Sequence, residues 1–171
     1  MIYLSIWHNN AGLIWKDKWA SWNLTTEFDV VKPIVDALVK IDNRFVKVPE
    51  WLTLTQRIKW INKNCLDGDY TVEFHLDSWW TATWCSTWYM SWSDFAKKKA
   101  EKFQMEYTKQ TWLIGRWVHG DLTNRLKRLA FVRDTRPLAL LVELGFISNT
   151  KDLKIIKEKW VQAIYNSLIK L

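Results

Sequence analysis

Two of the three histidines in the sequence lie where strands are predicted to end. His8 follows a short apolar run at the start of the chain, and His75 closes an alternating run in the middle. In open α/β sheets, ligands bind at the carboxyl ends of the strands, so these histidines could converge. Carboxylates occur at comparable places, with Glu27 at the start of the first predicted helix and Glu143 near the end of the most apolar strand.

These residue types match one kind of catalytic metal site. Two histidines and one carboxylate leave a fourth position of zinc open, and a second carboxylate beside the metal can act as general base. Glu143 lies in a strand that is predicted to be buried, and burying an unpaired charge is costly, so we expect its carboxylate to have a partner or a function. Yet no local HExxH motif is present, and an isolated His or Glu beside a strand is more often structural. On spacing alone, zinc chemistry is one hypothesis beside that structural alternative.

The surrounding pattern predicts an α/β sandwich on a largely parallel or mixed sheet, because strands alternate with helices. The predicted strands are residues 2–6, 44–48, 71–76, 129–132 and 138–144. The predicted helices lie within residues 25–41, 52–64 and 94–107, and residues 149–170 form one helix or two. Thr25 or Thr26 is a candidate cap of the first helix, and Thr53 or Thr55 of the second. Pro33 indicates a kink or a later start in the first.

Composition narrows the class of protein without choosing a function. The chain has 171 residues, of which 49% are hydrophobic and 25% charged, as expected for one soluble globular domain. Its net charge of +7 favours an anionic partner such as nucleic acid, an anionic membrane or an acidic wall polymer. No stretch is apolar enough for a membrane span, and no signal peptide is visible. Cys65 and Cys85 form no CxxC pair, so we expect reduced thiols.

Four segments together resemble one family. IYLSIWHNN near the start, TTEF before the first helix, VEFHLDS on a middle strand and LLVELGFISNTKDLKII near the end are similar to the zinc-dependent N-acetylmuramoyl-L-alanine amidases. This is the type-3 amidase family of cell-wall hydrolases and phage endolysins. The resemblance covers nearly the whole chain and implies a six-stranded mixed sheet flanked by helices. It therefore implies a single catalytic domain over residues 1–171, without a separate wall-binding domain.

The resemblance also implies roles for particular residues. The zinc ligands of the family fall on His8, Glu27 and His75, and its catalytic glutamate falls on Glu143. One zinc ion would acidify water and polarise the scissile carbonyl, while Glu143 would take the proton and pass it to the departing amine. Arg133 is a candidate for binding substrate carboxylate or carbonyl groups, and the alternative is a structural or solvated arginine at a strand end.

Two other residues are interpreted from the sequence. Asp77 stands where the family often has Asn and adds negative charge near the metal. His119 is expected in a solvated polar loop.

Tryptophan is strongly over-represented at the expense of glycine, with 14 Trp and 5 Gly. The stretch SWWTATWCSTWYMSW, residues 78–92, shows this most clearly, and its Ser, Thr and Cys residues do not favour a helix. The family reads Gly where Trp7, Trp84 and Trp117 stand. We extend this interpretation to nine more positions, so that only Trp60 and Trp88 remain as authentic tryptophans. The full set is Trp7, Trp15, Trp19, Trp22, Trp51, Trp79, Trp80, Trp84, Trp92, Trp112, Trp117 and Trp160.

The simplest hypothesis is a source in which the codon UGA specifies glycine, translated with a table that gives tryptophan. The alternative is a genuine tryptophan surface that stacks on carbohydrate. If the tryptophans are literal, they replace glycines at a cost of about 1–3 kcal/mol wherever φ is positive.

The sequence therefore predicts an enzyme that cleaves the amide between N-acetylmuramic acid and the L-alanine of the peptide stem in peptidoglycan. We expect it to act at the bacterial cell wall, released by a holin-type partner or cut from a larger protein. The alternatives are a catalytically silent peptidoglycan-binding domain and a basic nucleic-acid-binding protein. All four site residues are present, which argues against the first. The basic residues are scattered and form no nucleic-acid-binding motif, which argues against the second.

Overall fold

The computed structural model describes residues 1–6, 21–22, 25–78 and 82–171, and of residues 21–22 the backbone only. Six strands form one sheet in the order β4-β1-β5-β8-β6-β7, and two short strands, β2 and β3, pair beside it. The strands are β1 Ile2–Ile6, β2 Ser21–Trp22, β3 Thr25–Thr26, β4 Phe45–Lys47, β5 Tyr70–Asp77, β6 Cys85–Tyr89, β7 Gly115–Gly120 and β8 Leu138–Phe146. The helices are α1 Glu27–Ile41, α2 Leu54–Asn64, α3 Asp94–Thr111, α4 Ala130–Asp134 and α5 Thr150–Leu168.

The sheet is mixed, as predicted. Strands β4, β1, β5 and β8 run parallel, β6 is antiparallel to β8, and β7 is parallel to β6. The carboxyl ends of β1, β5 and β8 therefore meet at one edge of the sheet, where the predicted site residues of β5 and β8 lie. The predicted α/β class and the six-stranded sheet are both confirmed.

Helices cover both faces of the sheet. Apolar residues of α1, α3 and α5 pack on one face in the larger core, and those of α2 and α4 pack on the other in a smaller core. Along β5, Val72 and Phe74 belong to the larger core, so the alternation of a strand turns Glu73 and His75 to the opposite face. Because α4 is only five residues long, this second face is less completely covered.

Local capping explains where the helices begin. Thr26 caps α1 by accepting a hydrogen bond from the Asp29 amide, and the Asp29 carboxylate accepts one from the Thr26 amide. Thr53, one of the two predicted caps of the second helix, forms the same kind of capping box with Gln56 at α2. The helix α1 starts at Glu27 and contains Pro33, so the predicted alternative of a later start is wrong. This start fixes Glu27 at the edge of the sheet.

Several predictions of secondary structure are wrong. Residues 129–132 were expected as a strand but belong mostly to α4, because a short apolar run cannot distinguish a strand from a buried helical turn. Strands β6 and β7 were not predicted. Residues 78–92 contain the strand β6, and Trp84, just before this strand, and Trp88 within it line the same cavity. The closing segment forms a single helix.

Two expectations drawn from composition can also be compared with the structure. Cys65 and Cys85 are buried free thiols. Within the described part of the chain, none of the helices is both long and apolar enough to cross a membrane.

Candidate active site

Three of the four predicted metal and catalytic residues lie together at the carboxyl edge of the sheet. His75 on β5 is directly opposite Glu143 on the parallel neighbour β8. Glu27, the first residue of α1, reaches the same place, where its Oε1 accepts a hydrogen bond of 2.8 Å from the Leu76 amide. The Nδ1 atom of His75 lies 3.6 Å from Oε1 of Glu27 and 4.0 Å from Oε1 of Glu143. The predicted ligand His8 lies outside the described residues.

Burial changes the proton affinity of all three groups. Desolvation raises the pKa of Glu27 to about 8, although the charge of His75 opposes this. Desolvation likewise raises the pKa of Glu143 to about 7. For His75, burial lowers the pKa, but a hydrogen bond to Glu73 and the nearby carboxylates outweigh it and raise the pKa to about 9. Ionised carboxylates are therefore unfavourable in this buried cluster unless a positive charge lies beside them. Either bound protons or a cation between these side chains would supply that charge.

The donor set fits a zinc ion. Imidazole nitrogen and carboxylate oxygen are ordinary zinc ligands, and Nδ1 of His75 faces the Glu27 carboxylate. The Oε2 atom of Glu143 is buried and has no hydrogen-bond partner among the described residues. Within residues 25–78 and 82–171, no group of three His, Cys, Asp or Glu side chains is arranged to hold a metal. That region contains two of the three predicted ligands, Glu27 and His75.

A further carboxylate in this cluster was not predicted from the sequence. Oε2 of Glu73 lies 3.2 Å from Nε2 of His75, on the side of the ring away from Nδ1. Oε1 of Glu73 accepts hydrogen bonds from Nη1 of Arg57 at 2.9 Å and from the Ser5 hydroxyl at 3.0 Å. The signal was present in VEFHLDS, because residues two apart on a strand share a face. The burial of Arg57 was not predicted, because a charged residue on an amphipathic helix is normally expected on its exposed face.

The cluster opens into a cavity of about 530 Å³. One side of it, called here the acidic side, consists of Glu73, His75, Asp77 and Glu143. A second group of lining residues, called here the basic side, consists of Trp88, Arg116, His119 and Arg128, with Trp84 beside them. The cavity is large enough for part of a polymer chain and presents the site residues to it.

The basic side carries aromatic rings and exposed cations. The ring of Trp88 stacks on His119 with centroids 4.5 Å apart, and the guanidinium of Arg116 lies 4.1 Å from the Trp84 ring centroid. Burial and the charge of Arg116 lower the pKa of His119. His119 was expected in a solvated loop, but it lies on β7 and lines the cavity, so that expectation is wrong. The two glycines that bracket His119 had suggested a loop.

The structure places Arg133 away from this cavity lining. Its guanidinium donates to the buried carboxylate of Asp121 and lies 4.2 Å from the ring centroid of Trp92. Asp121 also accepts hydrogen bonds from the amide and hydroxyl of Ser91, at 3.0 and 2.9 Å. Among the described residues that line the cavity, Arg128 and Arg116 are the arginines. The substrate-binding role of Arg133 stays a prediction.

Comparison with known proteins identifies the family. Residues 24–170 match the family model described as N-acetylmuramoyl-L-alanine amidase. Among curated protein sequences, none matches the chain.

Solved structures share the fold at low sequence identity. An N-acetylmuramoyl-L-alanine amidase from Clostridium difficile 630 is 20% identical with a TM-score of 0.75, over 99% of this chain and 92% of that one. The catalytic domain of the CD27L endolysin targeting Clostridia difficile is 17% identical with a TM-score of 0.74, over 99% and 94%. The catalytic domain of CwlV from Bacillus (Paenibacillus) polymyxa var. colistinus is 20% identical with a TM-score of 0.73, over 99% and 97%.

Proposed function

The chain belongs to the N-acetylmuramoyl-L-alanine amidase family and therefore hydrolyses the amide between N-acetylmuramic acid and L-alanine in peptidoglycan; we propose that it does so with one zinc ion. The proposed ligands are His8, Glu27 and His75, and the proposed catalytic residue is Glu143. The observation that carries this proposal is the position of His75 Nδ1, which lies 3.6 Å from the Glu27 carboxylate and 4.0 Å from that of Glu143.

Each residue then has a chemical task. Bound zinc supplies Lewis-acid chemistry, which acidifies water and polarises a carbonyl. Glu27 and His75 hold the ion at the edge of the sheet. Glu143 accepts the proton of the attacking water and delivers it to the nitrogen of the departing L-alanine. Burial raises the pKa of Glu143, which helps it to take up a proton, because a general base works best when its pKa lies near the ambient pH.

The cavity suggests how the substrate lies. Peptide stems of peptidoglycan carry carboxylates, and Arg116 and Arg128 of the basic side line the same cavity as Glu143. We propose that the peptide lies along the basic side and its amide bond faces Glu143. Arg133, held by Asp121, remains a second candidate for contact with the substrate outside the cavity lining.

We also propose where the enzyme acts. Its substrate places it at the bacterial cell wall, and the similarity of its fold to an endolysin catalytic domain is compatible with lysis after release by a holin-type partner. One catalytic domain over residues 1–171 suffices for this proposal.

The proposal that many tryptophans stand for glycine receives its best structural support at Trp112. This residue follows α3 with φ 63° and ψ 13°, the left-handed conformation in which helices commonly end on glycine. Its side chain is 82% exposed. A non-glycine residue in this conformation costs about 1–2 kcal/mol, and no burial compensates for that cost here.

The other described tryptophans also differ in exposure and in ring packing. Three more of the suspected positions are highly exposed, namely Trp51, Trp92 and Trp117. In contrast, Trp60 packs edge-on against Tyr3 with ring centroids 6.0 Å apart, and Trp88 stacks on His119. Trp60 and Trp88 are the two that the sequence retains as tryptophan. The division supports glycine in the source protein at the exposed positions.

At two of the suspected positions the structure gives less support for glycine. Trp84 packs edge-on against Phe146 with ring centroids 4.7 Å apart, and Trp160 packs against the larger core from within α5. Glycine inside a helix costs about 1 kcal/mol relative to alanine. Trp160 is therefore the position at which the structure supports glycine least.

One experiment tests zinc dependence, activity and recoding together. Zinc content and peptidoglycan hydrolysis are measured for the chain as printed and for a chain with glycine at the twelve positions. We expect the glycine chain to bind one zinc ion and hydrolyse peptidoglycan, and the printed chain to fold poorly or be inactive. Equal activity of both would refute the recoding, while a folded glycine chain without zinc would refute the metal site.

A narrower test uses two single substitutions in the printed chain. Trp112→Gly should raise the free energy of unfolding by about 1 kcal/mol, because it relieves the left-handed strain. Trp60→Gly should lower it by about 3–5 kcal/mol, because it removes a packed ring. If both lower the stability alike, the distinction between suspected and authentic tryptophans is wrong.

A further inference from the structure

We propose that Glu73 is a positioning residue: together with Arg57 it orients His75 so that Nδ1 is the nitrogen that binds the metal, and it links this orientation to the end of β1. This inference rests on the zinc site of the proposed function. It adds two buried residues that have no role in the ligand set. The structure carries the proposal through three contacts: between Glu73 and His75, between Glu73 and Arg57, and between Arg57 and β1.

The first contact determines which nitrogen of His75 carries the proton in the neutral ring. A neutral imidazole has one N–H donor and one acceptor nitrogen. Nε2 of His75 lies 3.2 Å from Oε2 of Glu73, so the carboxylate accepts a hydrogen bond from Nε2–H. In the neutral ring, the form that binds a metal, the lone pair then lies on Nδ1. Nδ1 faces Glu27, the other described ligand. A carboxylate behind a metal-binding histidine both fixes the tautomer and increases the basicity of the ligand.

The second contact fixes Glu73 itself. Its side chain is 1% exposed and that of Arg57 is 4% exposed, so neither charge is solvated. Nη1 of Arg57 donates to Oε1 of Glu73 at 2.9 Å, and the Ser5 hydroxyl donates to the same oxygen at 3.0 Å. These bonds occupy Oε1 and leave Oε2 directed at His75. The carboxylate therefore cannot rotate without breaking two buried hydrogen bonds.

The third contact connects two strands of the site. Nη1 of Arg57 also donates to the Ile6 carbonyl at the end of β1, and to the Ser5 hydroxyl at 3.1 Å. The chain reaches His8 two residues after Ile6. One guanidinium thus holds the end of the strand that precedes the first predicted ligand and the carboxylate that orients the second. Replacing this network by apolar side chains would keep the core filled but leave His75 free to turn.

The test compares three variants with the parent chain. Glu73→Gln keeps an oxygen that can accept from Nε2–H. The double variant Arg57→Leu/Glu73→Leu removes both charges, so that neither is left buried alone and the fold survives. Ile164→Ala, in the larger core away from the site, is a control for general loss of stability. Because no residue of the network is tryptophan, the variants are made in whichever form of the chain the native protein carries.

Two readouts report orientation rather than activity. The zinc dissociation constant is measured by chelator competition, and ¹⁵N–¹H spectra of the zinc-loaded protein identify which nitrogen of His75 binds the ion. We expect binding through Nδ1 with a proton on Nε2 in the parent. The double variant should bind zinc about 10–100-fold more weakly, with a smaller loss in Glu73→Gln. Ile164→Ala should retain the parental affinity and spectrum.

The outcomes separate this inference from the proposed function. Metal binding through Nε2 in the parent, or an unchanged dissociation constant in the double variant, would overturn the role of Glu73 and leave the amidase proposal intact. Zinc binding through Nδ1 without peptidoglycan hydrolysis would support the inference and contradict the function. A parent chain that binds no zinc would overturn both.

Discussion

The two sides of the cavity hold their charges differently. On the acidic side, Glu73 is fully buried, and the side chains of His75 and Glu143 are 12% and 18% exposed. The register of β5 and β8 places His75 opposite Glu143. On the basic side, Arg116 is exposed, and Arg128, 59% exposed, pairs with Asp134.

This difference assigns chemistry to one side and recognition to the other. Desolvation is large where the carboxylates are buried, so their pKa values move into the range in which protons are exchanged near neutral pH. Exposed arginines remain solvated and can adjust their conformation to a flexible anionic substrate. Each of them contributes less to the free energy of substrate binding than a buried charge pair would. Substitutions on the acidic side should therefore change the rate, and those on the basic side should change substrate affinity.

The largest expected effect is that of His75→Ala. Removing a ligand from the centre of the acidic side should eliminate both zinc binding and hydrolysis, because the remaining carboxylates repel each other without a cation. Metal analysis of the purified protein checks this, with circular dichroism to confirm folding. An unchanged zinc stoichiometry in a folded protein would contradict the ligand assignment.

Glu143→Gln should separate metal binding from turnover. The amide side chain fits the same space but cannot accept a proton, so we expect kcat to fall by about 10²–10⁴-fold while zinc remains bound. Glu101→Gln, at an exposed position on α3, is the matched control and should leave kcat unchanged. Substantial turnover by Glu143→Gln would remove Glu143 from the mechanism.

On the basic side, Arg116→Gln should weaken substrate binding without slowing the chemical step. Loss of one charge-assisted hydrogen bond of about 1.5 kcal/mol corresponds to roughly a tenfold rise in KM at unchanged kcat. Lys98→Gln, an exposed position on α3, removes the same charge far from the cavity lining. A fall in kcat, or an equal effect of Lys98→Gln, would break the division between the two sides.

Arg133→Gln should have the smallest effect on catalysis. Because Arg133 pairs with the buried Asp121, we expect a loss of about 1–3 kcal/mol in the free energy of unfolding and a smaller change in KM than for Arg116→Gln. Thermal denaturation and steady-state kinetics on the same preparations measure both. A larger rise in KM than that of Arg116→Gln would make Arg133 the main anchor of the substrate.

The sequence predicted most of the sheet but only part of the site. Strand β8 and helix α3 follow from clear apolar patterns, and Glu27 and His75 follow from their places beside a cap and a strand end. Strand β6 was not predicted because tryptophan among Ser and Thr conceals its alternation. Strand β7 was not predicted because the glycines at its two ends indicated a loop. Glu73 and Arg57 escaped because their burial depends on a pairing between β5 and α2 that no local pattern contains.

The most direct test of the amidase account is the chemical identity of the new end groups released from purified peptidoglycan by the zinc-loaded protein. Labelling of free amines and analysis of the hydrolysate should show new amino-terminal L-alanine without new reducing sugar ends. Glu143→Gln should release L-alanine termini about 10²–10⁴-fold more slowly. Release of reducing ends, or of amines from residues other than L-alanine, would contradict cleavage at the N-acetylmuramoyl-L-alanine bond.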